Sequence, residues 1–288
     1  LAWLAAVPAL AQQDFSKVEV KAERVAEGLY MLTGSGGNMG LSVGTSGTYL
    51  IDDQYAPLSE KILAAIRAIT PDPVRFVVNT HWHGDHTGGN ENMGKAGALL
   101  VAHENVRVRM SKEHFMAAFG RKVPPSPEGA LPVVTFTDAV TFHWNGDEIR
   151  VYHVPPAHTD GDSIVHFVKA DVVHMGDVFF NGGYPFVDTS SGGRVDGVIE
   201  AVDRVLAGIG NPRPETAAAV MRAVEELGYR PSGVARSLRM KRTRTLGLIV
   251  TDIQNPFFPE LVQAADSAAR SMDYSIILGS AAYDEHRA

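Results

Sequence analysis

The chain has 288 residues, which is enough for one or two domains. Its formal net charge of −7 argues against a dedicated nucleic-acid binder, and its apolar content of 45% is ordinary for a globular chain. The sequence contains no cysteine, which is compatible with both an oxidising and a reducing compartment.

Residues 1–11 form an apolar segment that is too short to span a bilayer. Its last residues, Ala9-Leu10-Ala11, have the small-x-small pattern of a signal-peptide cleavage site. We therefore expect residues 1–11 to be the remnant of a signal peptide, and the protein to be periplasmic or secreted. No membrane-spanning segment follows, so we expect no stable membrane span.

The chain that follows alternates between strand and helix patterns, which is typical of an α/β fold. One helix is predicted from Ser59 to Ile69, with Ser59 as its N-cap. Glu104–Phe119 is predicted to be mostly helical, and Gly192–Leu206 is predicted to be a late helix. Strands are predicted at Val18–Val20, Tyr30–Leu32, Thr48–Ile51, Arg75–Asn79, Leu99–Val101, Ile149–Tyr152 and Ile164–Phe167, and around Phe142.

Four potential metal ligands lie within six residues, directly after the predicted strand Arg75–Asn79. His81 and His83 are two residues apart, so in extended backbone both point the same way and can hold one ion. Asp85 and His86 follow on the turn and can reach a second ion, before Thr87–Asn90 continues as a loop. Zinc binds imidazole nitrogen and carboxylate oxygen, and a catalytic zinc keeps one position open for water.

The hexapeptide His81–His86 resembles the His-x-His-x-Asp-His signature of the metallo-β-lactamase-fold hydrolases. Two later segments resemble further motifs of that family in the same order. They are Pro155–Ser163, which contains His158, and Val173–Phe180, which contains Asp177. The resemblance covers about residues 17–207 and implies an αβ/βα sandwich, so we assign residues 12–207 to a hydrolase domain.

The resemblance also implies how the ligands are shared between two zinc ions. His81, His83 and His158 would hold the first ion. The second ion would be held by Asp85, His86 and Asp177, with Asp177 bridging the two. The implied activity is hydrolysis of a small-molecule carbonyl substrate by metal-bound hydroxide, and Asp85 is the candidate catalytic residue because it could also orient the water. The substrate class stays open between a β-lactam, a lactone, a thioester and another ester.

One expected ligand is missing from the pattern. The family usually carries another histidine in a loop beyond its last helix, whereas the only histidine after His174 is His286, which we interpret as a solvated residue of a polar tail. We therefore expect a sandwich that lacks its last elements. We also expect one or two zinc ions, with the second site weak, because metal affinity depends on the number and geometry of donors.

From about Gly208 the sequence resembles the lactose-repressor family of bacterial transcription regulators. The resemblance implies a partial helix-turn-helix and hinge over residues 208–244, and the start of a periplasmic-binding-protein-like effector domain over residues 245–288, with one β-α-β unit. Within the hinge, Arg236 and Leu238 are the candidate DNA-binding residues, and Leu238 would enter the minor groove as an apolar wedge. The matching blocks are Pro214–Thr216, Glu225–Pro231, Val234–Leu238, Thr245–Val250 and Asn255–Phe258.

The two resemblances call for different compartments, since a repressor meets DNA in the cytoplasm. If the regulator half determines the compartment, we therefore expect a cytoplasmic protein. Our interpretation is a chimera of two truncated genes that join near Arg204–Gly208, in which DNA binding is not expected because no complete reading head precedes the hinge. The alternatives are a DNA-binding regulator of the lactose-repressor family and an inactive fusion.

Overall fold

The structure is a computed structural model, and it describes residues 14–181, 183–207, 245–250, 257–271 and 275–280. The chain forms two compact units, Leu1–Gly228 and Tyr229–Ala288. The predicted signal-peptide remnant at residues 1–11 and the predicted DNA-binding and hinge segment at residues 208–244 lie outside the described residues. Among the helices that are described, none combines the length and the apolar character that crossing a membrane requires.

The larger unit contains a seven-stranded sheet, in the order β1-β2-β3-β4-β5-β6-β9. Strands β1 to β4 pair antiparallel, whereas β4, β5, β6 and β9 pair parallel. Parallel pairing places the carboxyl ends of β4 and β5 at the same edge. The strands are β1 Lys21–Ala26, β2 Leu29–Thr33, β3 Met39–Ser42, β4 Thr48–Ile51, β5 Val74–Asn79, β6 Leu99–His103 and β9 Val134–Phe136.

A second, four-stranded antiparallel sheet packs on the first. Its strands are β10 Ala139–Trp144, β11 Asp147–His153, β12 Ser163–Phe167 and β13 Val172–His174. A short hairpin, β7 His114–Met116 and β8 Arg121–Val123, lies in the sequence between β6 and β9 of the first sheet.

The described part of the larger unit also contains five α-helices, of which the first and the last pack on the outer faces of the two sheets. They are α1 Ser59–Arg67, α2 Gly84–Thr87, α3 Asn90–Lys95, α4 Glu104–Met110 and α5 Val195–Leu206. Short 3-10 helices occur at Phe15–Lys17, Ala56–Leu58, Ala117–Phe119, Glu128–Ala130, Gly176–Val178 and Thr189–Ser191.

The alternation of side chains along the strands explains the layers. In β5, Val77 packs in a cluster with Ile62 and Ile66 of α1, while its neighbour Val78 packs in the cluster between the two sheets. Successive strand residues point to opposite faces, so a strand that is apolar at every position is buried on both sides. On the far side of the second sheet, Val198 and Ala201 of α5 pack against Ile164 and its neighbours. The layers are therefore helix, sheet, sheet and helix, which confirms the predicted αβ/βα sandwich.

Three local predictions were wrong. The first strand begins at Lys21, after Val18–Val20. The helix from Glu104 ends at Met110 and a hairpin follows, so Glu104–Phe119 is not mostly helical. Ser59 does not cap α1, since the cap position is Leu58 and the Ser59 hydroxyl donates to the carbonyl of Ala56.

The segment after the motif is also more ordered than predicted. Thr87 ends α2 and Asn90 begins α3, so Thr87–Asn90 is a junction between two short helices rather than a loop. The strands β2, β4, β5, β6, β11 and β12 confirm the corresponding predictions, and α5 confirms the late helix, although it begins at Val195.

The described part of the smaller unit is a β-α-β arrangement. Strands β14 Thr245–Val250 and β15 Ser275–Ser280 pair parallel, and α6 Phe257–Ser271 connects them in sequence. This order confirms the predicted β-α-β unit at residues 245–288.

Candidate metal centre

The candidate centre lies at the carboxyl ends of β4 and β5. Asp52 follows β4 directly, and Thr80 to His83 follow β5 before α2 begins at Gly84. The side chain of Asp52 ties the two strand ends together, because the backbone N–H of Thr80 donates to it over 2.8 Å and the Thr80 hydroxyl donates over another 2.8 Å. The ligand segment therefore leaves the sheet from a fixed point.

Three histidine side chains converge in a first set. Nδ1 of His83 lies 3.2 Å from Nε2 of His81 and 2.8 Å from Nε2 of His158. All three side chains are buried. Nitrogen ligands at 2.0–2.1 Å from a tetrahedral zinc ion would be about 3.3 Å apart, which is close to the separations here. These histidines thus form a possible metal site.

The protonation of this set suits a metal ligand, because only a neutral imidazole offers a lone pair. Burial holds the pKa of His81 well below its ordinary value, and the positive charges of His86 and the neighbouring histidines lower it further. Burial, together with the charge of His83, lowers the pKa of His158 to about 4. His81 and His158 are therefore neutral at pH 7.

Each histidine of the first set has a partner at its other ring nitrogen. Nδ1 of His81 lies 3.1 Å from the Thr80 hydroxyl, and Nδ1 of His158 lies 2.6 Å from the carbonyl oxygen of Phe186. Nε2 of His83 lies 3.0 Å from a carboxylate oxygen of Asp188. Such partners fix the tautomer and the ring orientation of a metal ligand.

A second set adjoins the first and comprises His81, His86 and Asp177. Nε2 of His86 lies 3.2 Å from one carboxylate oxygen of Asp177, and the other oxygen of Asp177 lies 3.8 Å from Nε2 of His158. Asp177 therefore lies between the two sets. The carboxylate of Asp85 is 3.6 Å from Nε2 of His86 and is 30% exposed.

The charges around His86 also suit a cation. Burial lowers the pKa of this histidine, but the negative charges of Asp52 and Asp177 outweigh burial and hold the pKa well above its ordinary value. Burial raises the pKa of Asp177, but its close pairing with the His86 ring outweighs burial and holds this pKa below its ordinary value. A site that attracts a proton so strongly also attracts a metal ion in its place.

An unsatisfied atom tests whether these residues fit a metal. Nε2 of His86 is buried and makes no hydrogen bond among the described residues, although a carboxylate oxygen of Asp177 lies within ion-pair distance. Nδ1 of the same ring is 2.8 Å from Asp52. Buried polar atoms without a partner are rare in folded proteins. An unpaired ring nitrogen beside carboxylates is expected where these groups would bind the same cation. Imidazole and carboxylate donors together fit zinc.

The structure thus brings all six predicted ligands, His81, His83, Asp85, His86, His158 and Asp177, into one region. Asp85 is the most peripheral of them and belongs to neither three-residue set. The predicted DNA-binding residues Arg236 and Leu238 lie outside the described residues, as does His286.

Two carboxylates of the centre were missed by the sequence interpretation. Asp52 could have been found, because it follows a predicted strand that lies parallel to the strand before the motif. Asp188 gave no such signal, since Asp188-Thr189-Ser190 reads as an ordinary polar turn. Its pKa is held below the ordinary value, because hydrogen bonds from His83, Ser190 and Ser191 outweigh the effect of burial.

A groove of about 860 Å³ opens beside the second set, where Asp85, His86 and Asp177 form part of its wall. The glycine-rich loop Gly36–Asn38 and Asn181 also line the groove. The remaining wall is mainly apolar, with Met31, Met39, Val173, Met175, Phe179 and Phe180 among its residues.

Part of the chain is similar to bacterial repressors. It is 46% identical over 80 residues to the HTH-type transcriptional regulator RegA of Clostridium saccharobutylicum, which covers 28% of this chain and 24% of RegA. It is 44% identical over 80 residues to the ribose operon repressor of Halalkalibacterium halodurans, with the same two shares. The chain spans about a quarter of the length of these curated relatives. These matches confirm the predicted resemblance to the lactose-repressor family.

Solved structures show the fold of the larger unit. A metallo-β-lactamase from Pontibacter korlensis has a TM-score of 0.54 at 20% identity, over 66% of this chain and 86% of that one. A metallo-β-lactamase with a HARLDQ motif from Cronobacter sakazakii has a TM-score of 0.53 at 22% identity, over 66% of this chain and 75% of that one. The family model described as "Metallo-beta-lactamase superfamily" matches residues 32–231, which is most of the sequence. The chain therefore belongs to the metallo-beta-lactamase superfamily.

Proposed function

We propose that this protein is a zinc-dependent hydrolase that cleaves a small-molecule carbonyl substrate. The observation that carries the proposal is the convergence of His81, His83 and His158 on one point, with His86 and Asp177 directly beside it. Membership of the metallo-beta-lactamase superfamily supports a metal-dependent hydrolase.

In this proposal His81, His83 and His158 would hold one ion, and His86, Asp85 and Asp177 would hold a second. When bound, zinc supplies a Lewis acid and an acidic water molecule. Asp85 is the carboxylate best placed to accept the proton of the attacking water, because it lies at the groove wall and remains partly exposed. The buried histidines keep bulk water from the other side of the centre.

The charges of the groove favour some substrate classes over others. Among the described residues that line it, there is no lysine or arginine, while Asp85, Asp171 and Asp177 contribute carboxylates. A substrate with its own carboxylate, such as a β-lactam, would find no basic side chain to pair with among the described residues of this wall. We therefore propose a neutral lactone, ester or thioester with an apolar acyl group.

Zinc content and turnover together test the proposal. The full chain is dialysed against zinc, its zinc content is measured by atomic emission, and hydrolysis of a neutral aryl ester, a neutral lactone, a thioester and an anionic β-lactam is compared. We expect one tightly bound ion or two ions, and faster turnover of the neutral substrates. Soluble protein with no bound zinc and no hydrolysis would contradict the function, whereas a preference for the β-lactam would contradict only the substrate class.

A second candidate function is DNA binding, which the matches to RegA and the ribose operon repressor favour. In this alternative, Arg236 and Leu238 contact the duplex. A gel-shift experiment with operator and scrambled duplexes decides it. Preference for the operator that Leu238→Ala removes would support DNA binding, and retardation that depends only on salt would contradict it.

A further inference from the structure

A loop outside the sequence motifs supports two of the first-set histidines at once. The carbonyl of Phe186 accepts a hydrogen bond from Nδ1 of His158 over 2.6 Å. Two residues later, the carboxylate of Asp188 lies 3.0 Å from Nε2 of His83, and the backbone N–H of Asp188 donates to the carbonyl of His158 over 2.9 Å. A single short segment therefore contacts two candidate ligands that are distant in sequence.

The carboxylate of Asp188 is itself held in place. One of its oxygens accepts hydrogen bonds from the backbone N–H groups of Ser190, at 3.0 Å, and Ser191, at 3.2 Å, and from the Ser190 hydroxyl at 2.5 Å. The other accepts from the Ser191 hydroxyl at 2.5 Å, as well as facing His83. The Ser191 hydroxyl in turn accepts from the indole N–H of Trp82 over 3.1 Å. With its side chain 2% exposed, Asp188 cannot rotate freely to follow a moving imidazole.

This arrangement has a direct consequence for His83. When Nε2–H donates to Asp188, the proton is fixed at that nitrogen and the lone pair lies on Nδ1. Nδ1 is the atom that faces Nε2 of His81 and Nε2 of His158. A carboxylate behind an imidazole also makes the imidazole a stronger donor to a metal.

We propose that Asp188 is a positioning residue that sets the zinc affinity of the first set by orienting His83. The inference rests on the proposed metal-dependent function. It extends that function to a residue that lies outside every motif of the sequence and whose carboxylate reaches the centre through His83.

The test measures zinc affinity of the full chain by competition with a chromophoric chelator. Asp188→Asn preserves the shape and one acceptor oxygen but removes the charge, so we expect the Kd for zinc to rise by roughly 10- to 100-fold. Asp196→Asn is the matched control, because Asp196 is a nearby, partly exposed carboxylate that pairs with Arg194. We expect the control to bind zinc as the wild type does.

A double-mutant cycle separates positioning from general structural support. In a His83→Ala background, Asp188→Asn should weaken zinc binding no further, because the side chain through which Asp188 acts has been removed. A loss of the same size in both backgrounds would overturn the proposal, as would equal affinity of Asp188→Asn and the wild type.

A measurement on the wild type covers the case in which Asp188→Asn fails to fold. Nitrogen-15 NMR of the imidazole rings should show His83 with its proton on Nε2, and a proton on Nδ1 would overturn the proposal. Wild-type protein that binds no zinc would overturn the proposed function and this inference with it, whereas the mutant results above overturn this inference alone.

Discussion

The side chains of the centre differ in how tightly the protein holds them. His81 is 1% exposed, and His158 is equally buried, with its second ring nitrogen bonded to a backbone carbonyl. The side chains of Asp85 and Asp177 are 30% and 20% exposed. Groups that are already fixed lose little conformational freedom when a ligand binds, so the first set is the better prepared of the two.

Replacing a first-set histidine should therefore remove both zinc and activity. We expect His158→Ala to lower hydrolysis by about 100-fold or more, since a Lewis acid contributes several kcal/mol to the transition state. Zinc content, measured on the same sample, should fall by at least one ion. His143→Ala is the matched control, because His143 lies exposed on β10. Unchanged zinc content in His158→Ala would show that this residue is not a ligand.

A pair of histidines away from the centre makes stability depend on pH. The rings of His103 and His153 are stacked with centroids 3.8 Å apart. Burial, and then the charge of His153, lowers the pKa of His103 below its ordinary value of 6.5, and burial lowers the pKa of His153. The nearby acids Asp160, Glu104 and Asp138 oppose these shifts without cancelling them. Both rings are thus neutral in the folded protein at pH 7.

The sign of the effect follows from linkage. Below about pH 6.5 the unfolded chain binds more protons at this pair than the folded chain, so the pair's contribution is present above that pH and is lost as the pH falls through the lowered folded-state pKa. The free energy of unfolding is measured by urea denaturation at a series of pH values below 7, with a chelator present. We expect this free energy to fall less steeply with decreasing pH in His153→Gln than in the wild type. His143→Gln should keep the wild-type slope, and an unchanged slope in His153→Gln would contradict the assignment.

The site residues that could be predicted from local sequence are the potential ligands that lie close together in the chain. His81, His83, Asp85 and His86 are adjacent in the chain, so their proximity follows from the backbone alone. His158 and Asp177 required a resemblance to a family, because no local rule brings them to the same place. The support from Asp188 depends on how a turn packs against two other segments, and tertiary packing of that kind leaves no local pattern.

At the scale of elements, the loop between β2 and β3 packs closely against the second set. A Cβ atom added to Gly37 would overlap the ring of His86, with Nε2 only 2.6 Å away. The backbone of this loop therefore fits against the imidazole only because glycine has no side chain.

Gly37→Ala should displace His86 and weaken the second zinc ion while leaving the first in place. We expect the number of bound ions at limiting zinc to fall toward one, and activity to fall with it, because Asp177 would lose its partner on that side. Gly183→Ala is the control, since a Cβ atom there meets nothing within 4 Å. If Gly37→Ala still bound two zinc ions per chain, the loop would have moved to accept the methyl group without displacing His86, and the prediction would be wrong.

The elements that were predicted correctly are strands that are buried on both faces and a helix that buries one apolar face, because both give a clear pattern of apolar residues in the sequence. Strands β4, β5 and β6 are apolar runs, and α5 presents Val198, Ala201 and Val202 at helical spacing. The second half of the predicted helix Glu104–Phe119 was wrong, because α4 ends at Met110 and the chain forms the β7–β8 hairpin, around which Phe115 and Phe119 are exposed. Propensity in this segment is overridden by pairing between strands.

At the scale of the whole molecule, metal binding and folding should be linked. Ligands from residues 81 to 177 lie together only in the folded larger unit, so zinc binds the native state in preference to the unfolded chain. At a free zinc concentration of 100 times Kd, the stabilisation is about 2.7 kcal/mol. We expect the Tm from circular dichroism to rise with zinc and to fall with chelator. Magnesium is the control, because it prefers oxygen ligands and should leave Tm unchanged. Equal Tm values with and without zinc would contradict a native metal site.

The organisation into two parts could be read from sequence because two unrelated sets of motifs occur in order. The position of the join could not, since Arg204–Gly208 fits the end of a hydrolase helix and also a repressor segment. The superfamily match extends to residue 231, and the smaller compact unit begins at Tyr229. The boundary between residues 207 and 208 stays a prediction.

Because Trp82 lies beside the centre, its intrinsic fluorescence should report on the state of the first set. Its indole lies 5.0 Å from the ring of His83 and donates its N–H to Ser191, in the network that ends at Asp188. Indole emission responds to the charge and electron demand of an adjacent imidazole, so loading of the first set should quench or shift the fluorescence of this tryptophan. Occupancy could then be followed in real time on unlabelled protein.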